Sequence, residues 1–209
     1  MKRMTLLRAI RWVTWGVLGI AGALLLAVSS GWLVTDGPLS RIGSTSSSAG
    51  PSLGGRFEMS DQQGRKFTDA DLRGKPAMLF FGFTSCPDIC PTTLAEIGAW
   101  LDALGPAGSD IRAVFVSVDP ERDSVGNIAA YLEMFDSRII GLTGTPEQLA
   151  EIAKAYRIYY RKVPMEGGGY TMDHTAGIYL LDRDLRYASL LDAHMEKETA
   201  LEKIRQVLR

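Results

Sequence analysis

Ala77-Met78-Leu79-Phe80-Phe81-Gly82-Phe83-Thr84-Ser85-Cys86-Pro87-Asp88-Ile89-Cys90-Pro91 is the stretch from which the fold is read. Residues 77–83 are almost wholly apolar, the pattern of a strand covered on both faces. Leu94, Ile97, Leu101 and Leu104 then recur at helical spacing, which predicts a helix over 92–104 with Pro91 suited to its start. The two cysteines thus fall at a strand-to-helix junction, able to share one ligand or one disulfide. The 209 residues hold no other cysteine, so sulfur is not used to staple the fold and the pair reads as chemistry.

Outward from this junction, strand and helix patterns alternate. Segments 57–59 and 65–67 flank Asp61-Gln62-Gln63-Gly64, a hairpin turn. Strands are expected at 113–118, 139–142, 158–163, 177–181 and Tyr187–Leu191, and helices at 125–135, Pro146–Tyr156 and Lys197–Leu208. Gly167-Gly168-Gly169 reads as part of a loop between the strands at 158–163 and 177–181. The alternation predicts an α/β layered fold, its central sheet largely parallel with an antiparallel pair late in the chain.

No charge occurs from Trp12 to Val34, a length that as a helix spans the ~30 Å hydrocarbon core of a bilayer. Lys2, Arg3, Arg8 and Arg11 precede it, so the remainder of the chain is expected across the membrane from them. A cleaved signal peptide is the alternative: Ala27-Val28-Ser29 resembles a cleavage site, but the apolar run exceeds the usual length. The expected organisation is a cytoplasmic basic segment at 1–11, a transmembrane anchor at 12–34, a Gly/Ser-rich linker at 35–55 and one domain at 56–209. The short basic start, without a Ser-rich amphipathic presequence, points to a bacterial inner membrane with the domain in the periplasm. Beyond the anchor stand 19 basic and 24 acidic residues, a net charge of −5 without a basic stripe, which excludes nucleic acid as a partner.

A thiol at a helix N-terminus is favoured as thiolate, the form that attacks disulfides and binds soft metals. Three residues between Cys86 and Cys90 let both sulfurs converge on an ion. A third ligand is scarce, because the chain has two histidines. His174, in Asp173-His174-Thr175 just before the strand at 177–181, sits at the sheet edge where ligands gather; His194 reads as a solvated loop residue. Two thiolates and an imidazole suit copper, whereas closed zinc sites want a fourth protein ligand. Met165 and Met172 read as wall residues rather than ligands, and Asp88 either tunes the thiols, docks a partner or simply favours the helix start.

Residues 82–91, Ser117-Val118-Asp119-Pro120-Glu121-Arg122-Asp123, Gly141-Leu142-Thr143-Gly144-Thr145 and Asp173-His174-Thr175 together resemble the Sco (SenC/PrrC) family, over most of 53–194. The resemblance implies a thioredoxin-like fold with a central mixed sheet flanked by helices. It implies copper as the bound ion, with Cys86, Cys90 and His174 as its ligands, and the dinuclear copper centre of cytochrome c oxidase subunit II as the acceptor. Asp119 to Asp123 then play a supporting part, with Asp119 and Arg122 closing a turn by salt bridge. Two other classes stay open. A thiol–disulfide oxidoreductase would use Cys86 and Cys90 as its redox pair, although Cys-x-x-Cys and a proline before the late strand are the commoner pattern. A thiol peroxidase is disfavoured because Pro76 lies ten residues before Cys86.

Overall fold

The computed structural model describes residues 53–209 and, ahead of them, only Trp15 and Leu26, both helical. Apart from those two positions, the basic segment, the anchor at 12–34 and the linker up to residue 52 lie outside the described residues. Among the described residues no helix is long and apolar enough to cross a membrane. The domain is already docked at the end of the expected linker, where the Gly54 amide donates to the Ala155 carbonyl at 2.8 Å.

Seven strands form one sheet: β1 (Glu58–Asp61), β2 (Lys66–Thr68), β3 (Ala77–Gly82), β4 (Arg112–Ser117), β5 (Ile139–Thr143), β8 (Ile178–Leu181) and β9 (Tyr187–Leu191). Their order is β2-β1-β5-β4-β3-β8-β9. β3 runs parallel to β4, and β4 to β5. The pairings β1–β2, β1–β5, β3–β8 and β8–β9 are antiparallel. The sheet is therefore mixed and its antiparallel pairings outnumber the parallel ones, contrary to the expectation of a largely parallel sheet. An apolar run reports coverage of both faces and is silent on direction. Direction follows the connections: the links from β3 to β4 and from β4 to β5 are helical crossovers that return the chain in the same sense, whereas β1–β2 and β8–β9 are joined by short turns that reverse it.

The helices are α1 (Asp69–Leu72), α2 (Ile89–Ala103), α3 (Val125–Leu132), α4 (Pro146–Tyr156) and α5 (Lys197–Leu208), with a 3-10 turn at Gly105–Asp110. All six residues of β3 are buried, as its composition requires. Phe80 packs on Phe115 on one face of the sheet, where α2 and α3 lie. Phe81 packs on Tyr156 of α4 and on Tyr179 on the other face. Each such side chain removed from water contributes about 1.5–3 kcal/mol.

Two local departures from the sequence reading shape the site. Helix α2 begins at Ile89, not at 92, so Cys90 lies inside its first turn. The amides of a first turn have no helical acceptor, so Pro91 forfeits no bond at the third position. The second departure is β7 (Tyr170–His174), which pairs antiparallel with β6 (Tyr160–Pro164) as a separate two-stranded sheet. Gly167, Gly168 and Gly169 make its turn, all in the left-handed region at φ 95°, 99° and 78°. Of β7 only Met172 is buried, so the strand carries no apolar run to betray it.

Candidate metal centre

Both cysteines are free thiols, Cys86 half-buried and Cys90 fully buried. The Cys86 amide donates to the Phe83 carbonyl at 3.2 Å, a tight turn that brings the chain from β3 into α2. Asp88 stands at the N-cap, yet its side chain makes no capping bond. The sulfur of Cys86 supplies one instead, accepting from the Cys90 amide at 3.4 Å. Gly82 makes room for Cys90: a Cβ there would lie 2.8 Å from Cys90 Sγ and 2.8 Å from Phe115.

Burial pushes the Cys90 thiol well above its ordinary value of 9.0, with the Phe83 amide acting in the opposite sense and Cys86 adding to the rise. The thiolate expected from a helix N-terminus is thus overridden at Cys90, because desolvation of a buried anion outweighs the helix dipole. Cys90 is a neutral thiol in the metal-free protein.

His174 closes β7 and reaches the same place from the opposite side. Its Nε2 lies 3.9 Å from Cys90 Sγ. Its Nδ1 lies 2.9 Å from the Thr175 carbonyl oxygen, which can only accept. In the neutral ring the proton therefore sits on Nδ1, and the Nε2 lone pair faces the thiol; a ring nitrogen held by a backbone carbonyl in this way is usual for a histidine that ligates through the other nitrogen. The Phe83 ring stands perpendicular to the imidazole at a centroid separation of 5.7 Å. His194 is exposed in a loop where its amide donates to Asp192 at 2.7 Å, as expected of a solvated residue. Met172 is a buried wall residue, and Met165 is exposed in the hairpin turn.

Cys86, Cys90 and His174 are thus neighbours, but not a closed cage. Among the described residues, no three His, Cys, Asp or Glu side chains gather closely enough to hold a metal ion without moving. A soft ion bound by all three would draw them inward.

Sequence reasoning missed the polar frame behind the site. The Asp123 carboxylate is wholly buried. It accepts from Thr84 Oγ1 at 2.6 Å, the Thr84 amide at 3.1 Å and Ser117 Oγ at 2.6 Å. It therefore pins the start of the cysteine loop to the end of β4. The turn of Asp119 and Arg122 closes by a salt bridge, as its sequence suggested. The further bonds of both residues to Tyr170 had no signal, since 48 or more positions separate them.

The SCO1/SenC family model matches residues 45–209. The chain belongs to the SCO1/SenC family. Among curated relatives of this family, it is 38% identical over 157 residues to Protein SCO1, mitochondrial, of Saccharomyces cerevisiae, covering 74% of this chain and 53% of that protein. It spans about half the length of the curated relatives it matches. Among solved structures, Bradyrhizobium japonicum ScoI with copper bound is 45% identical at a TM-score of 0.70, with 75% of this chain and 99% of that one covered. Yeast Sco1 with copper bound is 37% identical at a TM-score of 0.69, covering 75% and 88%. The mixed sheet flanked by helices is the thioredoxin-like architecture of these Sco structures.

Proposed function

We propose that this chain is a copper chaperone that holds copper through Cys86, Cys90 and His174. The observation that carries the reading is the Nε2 lone pair of His174 aimed at Cys90 Sγ across 3.9 Å, with Nδ1 already committed to Thr175. Two sulfurs and one imidazole form a soft donor set of the kind copper favours. The copper-bound relatives from Bradyrhizobium japonicum and yeast support the choice of ion.

In this reading copper is cargo. Binding at Cys90 replaces the thiol proton, which leaves to solvent, so uptake releases a proton. Delivery reverses this one ligand at a time: an acceptor thiolate or imidazole displaces a ligand of the donor, and the departing cysteine regains a proton. The acceptor is the dinuclear copper centre of cytochrome c oxidase subunit II. The domain works in the periplasm, tethered to a bacterial inner membrane through residues 12–34.

Thiol–disulfide exchange is the second reading, favoured by the two free thiols one helical turn apart. Burial weighs against Cys90 as the attacking sulfur, since a protonated thiol is a poor nucleophile. The test is transfer from the copper-loaded chain to the metal-free copper domain of subunit II, compared with reduction of that domain's disulfide. Metal transfer that fails in Cys86→Ser and His174→Ala supports the chaperone. Disulfide reduction that persists in His174→Ala, without metal transfer, would replace it by the oxidoreductase.

A further inference from the structure

The β6–β7 hairpin carries His174, yet packing holds it only weakly. Met172 is its one buried residue, and between it and the body of the domain lies a cavity of about 260 Å³ lined by Val118, Leu149, Tyr160 and Met172. What ties it down is the loop after β4. Arg122 Nη1 donates to the Tyr170 carbonyl at 3.0 Å, and the guanidinium lies over the Tyr170 ring at 3.9 Å. The Tyr170 hydroxyl donates to Asp119 at 2.8 Å, and the other oxygen of that carboxylate takes the Arg122 Nε. Lys162 adds an ion pair to Glu121 and lies over the outer Tyr170 ring at 4.5 Å.

Arg122 also meets the site from below. Its guanidinium stands 5.8 Å from the centre of the Phe83 ring, the ring that is edge-on to His174. Its Nη2 is buried without a hydrogen-bond partner, while the guanidinium as a whole lies against the Tyr170 and Phe83 rings.

We propose that Arg122 is the positioning residue for His174: it clamps Tyr170 at one end of β7 and backs Phe83, and so fixes the imidazole at the other end opposite Cys90. The proposal rests on the copper-binding reading above. Arg122 touches neither sulfur nor imidazole and acts only through what it holds. Lysine can replace it only in part, because the clamp uses two guanidinium nitrogens in a fixed fork and a flat cation over a ring.

The test is a double-mutant cycle on the full-length chain in detergent, with copper affinity measured by anaerobic competition. Arg122→Ala is expected to weaken copper binding by up to about tenfold, the lower end of what losing a direct hydrogen-bond partner of a ligand costs, and to have less than about a twofold effect when His174→Ala is already present. Arg122→Lys should fall between. Tyr170→Leu, which breaks the clamp from the hairpin side, should behave as Arg122→Ala does and covers the case in which that variant fails to fold. In the copper(II) form, the nitrogen hyperfine coupling of the imidazole should weaken in Arg122→Ala while the thiolate-to-copper absorption persists. Equal losses with and without His174, or no loss in either clamp variant, would overturn the proposal alone. Failure of the unmodified chain to bind copper would overturn the functional reading and this proposal with it.

Discussion

His174 Nε2 and Cys90 Sγ face each other at 3.9 Å although 84 positions separate them in the chain. One comes from the end of a hairpin outside the main sheet, the other from the first turn of a helix. The thiol keeps its proton because it is buried, and the imidazole offers a lone pair because its other nitrogen is bound to Thr175. In the proposed function, a copper ion would have to displace the proton held at this place.

The buried Cys90 proton couples stability to pH. Its folded value is raised above the ordinary 9.0 by burial. The folded chain thus retains a proton that the unfolded chain loses, and the associated stability is complete below about pH 9 and declines as pH rises beyond it. The decline reaches up to about 1.4 kcal/mol for each pH unit past that point. Urea denaturation of the reduced, metal-free chain at pH 8 and pH 10 should show the loss, and Cys90→Ala should make the slope shallower. Part of the slope should remain, because burial also raises Tyr156 to about 12.

Gly82→Ala should damage fold and site together. The added methyl meets Cys90 Sγ and Phe115 at 2.8 Å, and the Phe115 ring has little room to give within the core. Overpacking of this kind costs about 1–3 kcal/mol. Thermal denaturation should register the loss, and Cys90→Ala in the same chain should relieve part of it by removing one of the two collisions.

Asp123→Asn tests the frame behind the cysteine loop. An amide nitrogen cannot accept, so one of the three donors now served by the carboxylate is left unpaired in the interior. The cost is about 1–3 kcal/mol, or roughly 2–4 °C of melting temperature for each kcal/mol. A melting temperature equal to that of the unmodified chain would show that Thr84 is held by other means.

How far the sequence carries can be judged from single elements. The apolar run of β3, the amphipathic spacing of α2 and the Pro146 start of α4 are local patterns; β3 and α4 stand where those patterns put them, and α2 begins three residues early. The pairing of His174 with the cysteines was reached by scarcity of other ligands, and the fold brings it next to Cys90. β7 escaped notice because a half-exposed strand beside three glycines looks like loop. The strand directions escaped because burial leaves no record of polarity. Asp123, Arg122 and Tyr170 form bonds across 39 to 51 positions, and nothing in their immediate neighbours marks the partner.

The most direct test of the account is anaerobic copper(I) titration of the reduced full-length chain, with proton release followed in the same experiment. One copper bound tightly per chain, accompanied by proton release, lost in Cys86→Ser and Cys90→Ser and weakened in His174→Ala, is the predicted result. Binding that is absent, or that survives unchanged in His174→Ala, would contradict it.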